Sequence, residues 1–392
     1  MKSLHVFILN LNQIDMRYSL LIATFLLPIL FSCRNDGSKN EYPYDWSLEM
    51  SGELKLPLDS TTEFMTFCLQ QFSGEGKNYL FFNNFKRGVI LIYDLNTRDE
   101  VRRINFDREG PNQVGSSPWA FYVLNLDSIF VFSHMEGQLS ILNREGDLVM
   151  KNFLVTDYWS GDPIPWVSTD LPMKYIKEKK QLLIPGIVRV PVKGYTSSHA
   201  LINYNIEDKR FLFQVPYPKI YDPGFWVEDN FTRGYTVPEL NSKNGTLIAG
   251  FGIDHELHKT DGETLLAKSD YLKEFNPVFD EYIKTWDDGI AHKAALLSGS
   301  YAALVADPFN NVYYRFVNIP ISQSDFDNGE RVFRNSVIIL DEKFVKRAEV
   351  LLEKGVRPYM FFLNEDGLFI ANEAVYKNNE DTLTFYKYTL KK

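Results

Sequence analysis

The chain has 392 residues, a formal net charge of −9, 24% charged residues and 15% aromatic residues. That balance excludes a disordered or fibrous chain, and the acidic excess argues against a nucleic-acid partner, whose phosphates demand a basic surface. Abundant aromatics beside 23 Gly and 18 Pro favour strands and turns over a helical bundle.

The apolar run Leu20–Phe31, broken only by Thr24 and Pro28, is too short to span a bilayer and suits the hydrophobic region of a signal peptide. It ends in Leu30-Phe31-Ser32-Cys33, an aliphatic residue three before a cysteine and a small residue just before it. This resembles the bacterial lipoprotein signal, in which the cysteine is acylated and becomes the mature N-terminus. The expectation is a signal peptide over 1–33 with lipidation at Cys33, and a polar tether over 34–46. Arg17 supplies the positive charge before the run, so Met16 is the expected true start. The exported chain then sits in the cell envelope as an outer-membrane lipoprotein, facing the periplasm or the surface. With Cys33 acylated, Cys68 has no disulfide partner and reads as a small buried residue.

Beyond the tether, one grammar recurs: a strand, a short polar turn, and a second strand rich in aromatic and β-branched residues. The units start near residues 64, 119, 173, 235, 300 and 358. A period of about 58 residues with room for four strands fits a β-propeller blade. The expected fold is all-β, a single domain over 47–392 forming a six-bladed propeller of four-stranded antiparallel blades. The last unit is one strand short, and the unassigned strand at 52–58 completes it and closes the ring. A ring with another blade number and a two-sheet sandwich are the alternatives.

The loop Arg108-Glu109-Gly110-Pro111-Asn112-Gln113-Val114-Gly115, the stretch Asp307-Pro308-Phe309-Asn310-Asn311-Val312-Tyr313-Tyr314-Arg315 and the lipoprotein signal resemble those of a bacterial lipoprotein family catalogued as domain of unknown function 4221, grouped with TolB-like six-bladed propellers. The resemblance covers roughly 34–390 and implies a fold and an export route, but no reaction.

A meander blade sends alternate connections to opposite faces. The pattern places only short turns on one face and gathers 107–118, 155–172, 185–198, 215–234, 269–299 and 318–333 on the other. Long ordered loops on a rigid scaffold are where binding concentrates. Two of them offer Trp159, Trp166, Tyr221 and Trp226 beside Asp157, Asp162 and Asp222, a candidate ligand surface whose alternative role is to pack the loops. Within 269–299, Pro277 and Gly289 bracket a short helical patch around residues 280–286.

No cofactor motif and no metal ligand set emerge. In Asp254-His255-Glu256-Leu257-His258 the two histidines are three apart on a strand and face opposite sides, unlike the helical zinc-protease arrangement. Ser73–Lys77 lacks phosphate-loop spacing, and no nucleophile elbow is present. Two functions stand: a lipid-anchored binding module for a glycan, peptide or protein, or a propeller enzyme with carboxylates at the central channel.

Overall fold

The computed structural model describes residues 44–392 apart from 85, 155–161, 189–196, 223–235, 241–246, 274 and 276–287. The lipidation site Cys33, the loop residues Asp157, Trp159 and Trp226, and the helical patch at 280–286 lie outside the described residues.

Among the described residues, the first strand is β1 (Ser47–Pro57). Blade one follows with β2 (Leu69–Gly74), β3 (Lys77–Asn84), β4 (Val89–Asp94) and β5 (Glu100–Asn105). Blade two is β6 (Ala120–Asn125), β7 (Ser128–Ser133), β8 (Gln138–Leu142) and β9 (Leu148–Phe153). Blade three holds β10 (Ile164–Pro165), β11 (Lys174–Ile176), β12 (Gln181–Ile187), β13 (His199–Asn205) and β14 (Arg210–Pro216). Blade four has β15 (Thr236–Leu240), β16 (Leu247–Phe251), β17 (Glu256–Lys259) and β18 (Thr264–Leu266), followed by helix α1 (Asp288–Ser298). Blade five has β19 (Ser300–Asp307), β20 (Val312–Ile319), helix α2 (Gln323–Asp327), β21 (Arg334–Leu340) and β22 (Lys346–Leu351). Blade six has β23 (Val356–Asn364), β24 (Gly367–Asn372), helix α3 (Glu373–Tyr376) and β25 (Thr382–Lys391).

The six sheets are antiparallel meanders, and the sixth runs β1-β25-β24-β23. The ring is therefore closed by the N-terminal strand, as the strand count requires. It pairs with β25 from Ser47↔Lys391 to Pro57↔Thr382, with a bulge between Met50 and Gly52. The pairing begins five residues earlier than the pattern at 52–58 suggests, because the bulge breaks the alternation there. Blade three also departs from expectation. Ile164 and Pro165, read as loop, pair with Ile187 and Gly186. Gly186 permits this approach: a Cβ there would meet Pro163 Cβ at 2.8 Å.

The core is a ring of seams between neighbouring blades. The middle strands are buried on both faces, as in β4 and β8, whereas the outer strands β5 and β9 are half solvated. Phe81, Ile92, Phe121, Phe130 and Leu182 fill the seams of blades one to three, and Leu56, Leu80, Phe362 and Phe385 fill the closing seam.

The loop sorting follows the expected rule. Among the described residues, the turns at 75–76, 126–127, 206–209, 260–263, 341–345 and 365–366 leave by one face, and the connections at 58–68, 106–119 and 320–333 leave by the other.

Candidate functional site

Both stretches that resemble the family serve the scaffold. Arg108 donates to Ser116 O and, at 3.2 Å, to Lys86 O, so the Glu109-Gly110-Pro111 corner is clamped from behind. Gly115 closes that loop at φ 109°, where a Cβ would meet the Ser133 side chain at 2.3 Å. Asp307 is buried and accepts from Phe309 N at 2.9 Å, Asn310 N at 3.0 Å and the Tyr314 hydroxyl at 3.1 Å.

Arg315 is 1% exposed. Its guanidinium donates to four carbonyls of blade four: His255 O at 3.1 Å, Ala267 O at 2.9 Å, Phe251 O at 3.3 Å and Asp254 O at 2.6 Å. It also lies 3.4 Å from the Tyr301 ring centroid. Burial pulls its pKa below the ordinary arginine value, with the charge dispersed over main-chain dipoles and the ring. It acts as a staple between blades four and five.

Where the innermost strands begin, on the long-loop face, rings from three blades converge. Phe67 precedes β2, Trp119 precedes β6, His134 follows β7, and Trp166 follows β10. Phe67 stacks on Trp119 at 5.2 Å, Trp119 stacks on His134 at 5.2 Å, and Trp166 meets His134 edge-on at 4.1 Å. His134 is buried and its Nδ1 donates to Pro165 O at 3.2 Å, which fixes the ring between the two indoles. Phe67 keeps 42% of its surface exposed and the adjacent Met65 43%. The result is a shelf with two half-buried indoles packed on the buried His134 and a solvated apolar edge.

The segment after Trp166 carries the polar element of this mouth. Thr169 donates its N–H to Phe67 O at 2.9 Å, and its Oγ1 accepts from Leu69 N at 2.9 Å. Blade three thus reaches past blade two to blade one. Asp170 follows, half-buried, accepting from Ser168 Oγ at 2.6 Å. Burial, only partly offset by Ser168, pushes its carboxyl up to about 6. Its charge is felt by Cys68 in blade one and Tyr359 in blade six. The Tyr359 hydroxyl contacts Met65 Sδ at 3.6 Å, and Arg357 beside it is ion-paired with Glu373. Asp170 therefore lies next to the contact of blades one and three, within electrostatic range of Tyr359 in blade six. Cys68, by contrast, is buried, and burial pushes its thiol up to about 12, which makes it inert at neutral pH.

The described candidates from the sequence fall into different settings. Trp166 is half-buried within the shelf, and Asp162 is exposed two residues before β10. Tyr221 has 0% exposure and packs on Tyr217 at 5.1 Å and Phe251 at 5.8 Å, so its ring holds a loop onto blade four and is not offered to solvent. Asp222, next to it, is exposed. Phe67, Trp119, His134 and Asp170 are not among the sequence candidates, since no single window contains them. A signal does exist: a bulky ring stands just before the first strand of blades one and two. A separate open cleft of about 1070 Å³ lies beside α1 and is lined in part by Asp270, Leu272, Lys273, Ser322 and Lys346. Lys346 there is already engaged by Asp270 at 2.8 Å and Glu349 at 2.7 Å.

Residues 46–349 match the model of a family described as a domain of unknown function, DUF4221. Among solved structures, a member of that family from Bacteroides vulgatus is 21% identical with a TM-score of 0.73, covering 89% of this chain and 99% of its own. A protein from Bacteroides fragilis described as exported is 12% identical with a TM-score of 0.53, covering 88% of this chain and 96% of its own. No curated protein matches the sequence.

Proposed function

The chain belongs to the DUF4221 family, and from that premise we propose that it is an exported, lipid-anchored propeller that works as a binding module, offering its long-loop face to a glycan, peptide or protein. The observation that carries this reading is the shelf of Phe67, Trp119, His134 and Trp166, whose inner rings are locked while Phe67 and Met65 stay exposed. Rigid aromatic surface at low entropy cost, beside a recessed carboxyl, is the usual composition of a recognition hot spot. The hydrophobic run ending in Leu30-Phe31-Ser32-Cys33 supports export and anchoring, and the Bacteroides fragilis neighbour is described as exported.

A second reading is favoured by Asp170 alone. A carboxyl held near 6 by burial, within electrostatic range of Tyr359, is suited to general acid or base work. An enzyme of this kind loses turnover on Asp170→Asn and keeps it on Phe67→Ala.

The test pairs Phe67→Ala with Trp166→Ala on arrays of glycans and outer-membrane proteins, with melting measured on each. Phe67→Ala is expected to leave melting nearly unchanged and to weaken binding about 30-fold, the equivalent of about 2 kcal/mol at a hot spot. Trp166→Ala is expected to lower both. Unchanged binding in both variants overturns the reading.

A further inference from the structure

Three ligand-type side chains outside the channel mouth remain without a role. Strand periodicity puts Asp254, Glu256 and His258 on one side of β17 and its preceding turn, while Leu257 points the other way into the apolar seam. His255 is not part of this group. Its Nε2 donates to Lys273 O at 3.0 Å and its Nδ1 accepts from the Tyr301 hydroxyl at 2.7 Å. The donor atoms of Asp254, Glu256 and His258 all lie within 4.8 Å of one another.

We propose that Asp254, Glu256 and His258 form a binding site for a divalent transition-metal ion, Zn²⁺ foremost. The donor set is one imidazole and two carboxylates, which supplies three protein ligands and leaves a position for water, as in open zinc sites. The imidazole turns the selectivity away from Ca²⁺ and Mg²⁺, which take oxygen ligands.

The geometry is graded from fixed to adjustable. Asp254 is 8% exposed. Its Oδ1 is held by Glu256 N at 2.9 Å and its main-chain carbonyl by Arg315, so Oδ2 is left to face His258. The Asp254 Oδ2 to His258 Nε2 distance is 2.8 Å, close to the roughly 3.3 Å between ligands that tetrahedral bonds of about 2.0 Å require. Glu256 is exposed and closes the remaining gap by changing rotamer, which also gives the ion its path from solvent. Metal at Nε2 requires the imidazole tautomer that carries its proton on Nδ1, so the Nε2 contact to Asp254 is replaced by the metal bond.

The experiment uses purified full-length protein, stripped with a chelator and titrated calorimetrically with Zn²⁺, Mn²⁺ and Ca²⁺ in two buffers of different ionisation enthalpy. One Zn²⁺ per chain is expected, with the same stoichiometry in both buffers. His258→Ala abolishes binding. Glu256→Gln, an exposed change that spares the fold, weakens it at least about tenfold. His292→Ala, an exposed histidine on α1, leaves it unchanged. Absence of saturable Zn²⁺ binding overturns the proposal. So does preference for Ca²⁺, equal loss in His292→Ala, or full affinity in Glu256→Gln.

Discussion

The two faces of the ring are built by opposite rules. On the short-turn face, each connection carries its own instructions. Asp94 accepts from Asn96 N at 2.9 Å, Asn205 from Glu207 N at 2.9 Å, Asp341 from Lys343 N at 2.9 Å and Asn364 from Asp366 N at 2.9 Å. Each is an Asx turn, closed by a side chain two residues away from the donor it serves. On the long-loop face, local ties such as that of Glu256 N to Asp254 are joined by remote ones. Leu69 is held by Thr169, Asn83 Nδ2 donates to Pro118 O at 2.9 Å, and Arg315 holds the turn after β16. Local ties make a face that varies little from blade to blade. Remote ties let each loop differ, and they make the stability of that face a property of the closed ring.

The contrast is broken most severely by removing β1. Deleting 47–57 leaves β25 as an open edge and strips Leu54 and Leu56 from the closing seam, so loss of cooperative folding is expected in a calorimetric melt. Next is Arg315→Met, which keeps volume and leaves four buried carbonyls without their donor; a loss of about 3–5 kcal/mol is expected in denaturant unfolding. Arg315→Lys should recover little of this, because one ammonium cannot span that fork.

A pH series sharpens the comparison further. Asp170 holds its proton more tightly in the folded chain than in the unfolded one. The stability tied to its neutral form is therefore present below about pH 4 and lost as pH rises through about 6. The change is about 2–3 kcal/mol, and Asp170→Asn should flatten that part of the stability profile. The smallest effect belongs to the local face. Asn205→Ala should cost about 1 kcal/mol, with no change in any activity of the opposite face.

The same contrast explains what the sequence reveals. Asn-Arg-Glu-Gly-Asp at 143–147 and Asn-Glu-Asp-Gly at 364–367 announce their turns within a few residues, and from them the blade period follows. The closing strand is legible because a ring with a three-stranded last unit needs another edge. The channel mouth is not. Phe67, Trp119, His134 and Asp170 are brought together by closure, and only Trp166 stands in a window whose composition draws notice. β10 depends on Gly186, 21 residues beyond its partner Pro165 in blade three. The Asp254-Glu256-His258 set lies in a segment that is legible as a strand, but testing it for a pair of histidines passes over the alternate residues that share one side.

Pairing of β1 with β25 also sets an order of events. The earliest strand to be synthesised waits for the latest, because Ser47 finds its partner only when Lys391 has appeared. Until then β1 has no partner strand. Joining ends so distant in sequence is slow, since a large loop must close before any contact rewards it. During that wait, the open edge of β25 accepts a β1 strand from a neighbouring chain as readily as its own. At high concentration the by-product of refolding is therefore a pair of rings that have exchanged first strands, each complete in its hydrogen bonds.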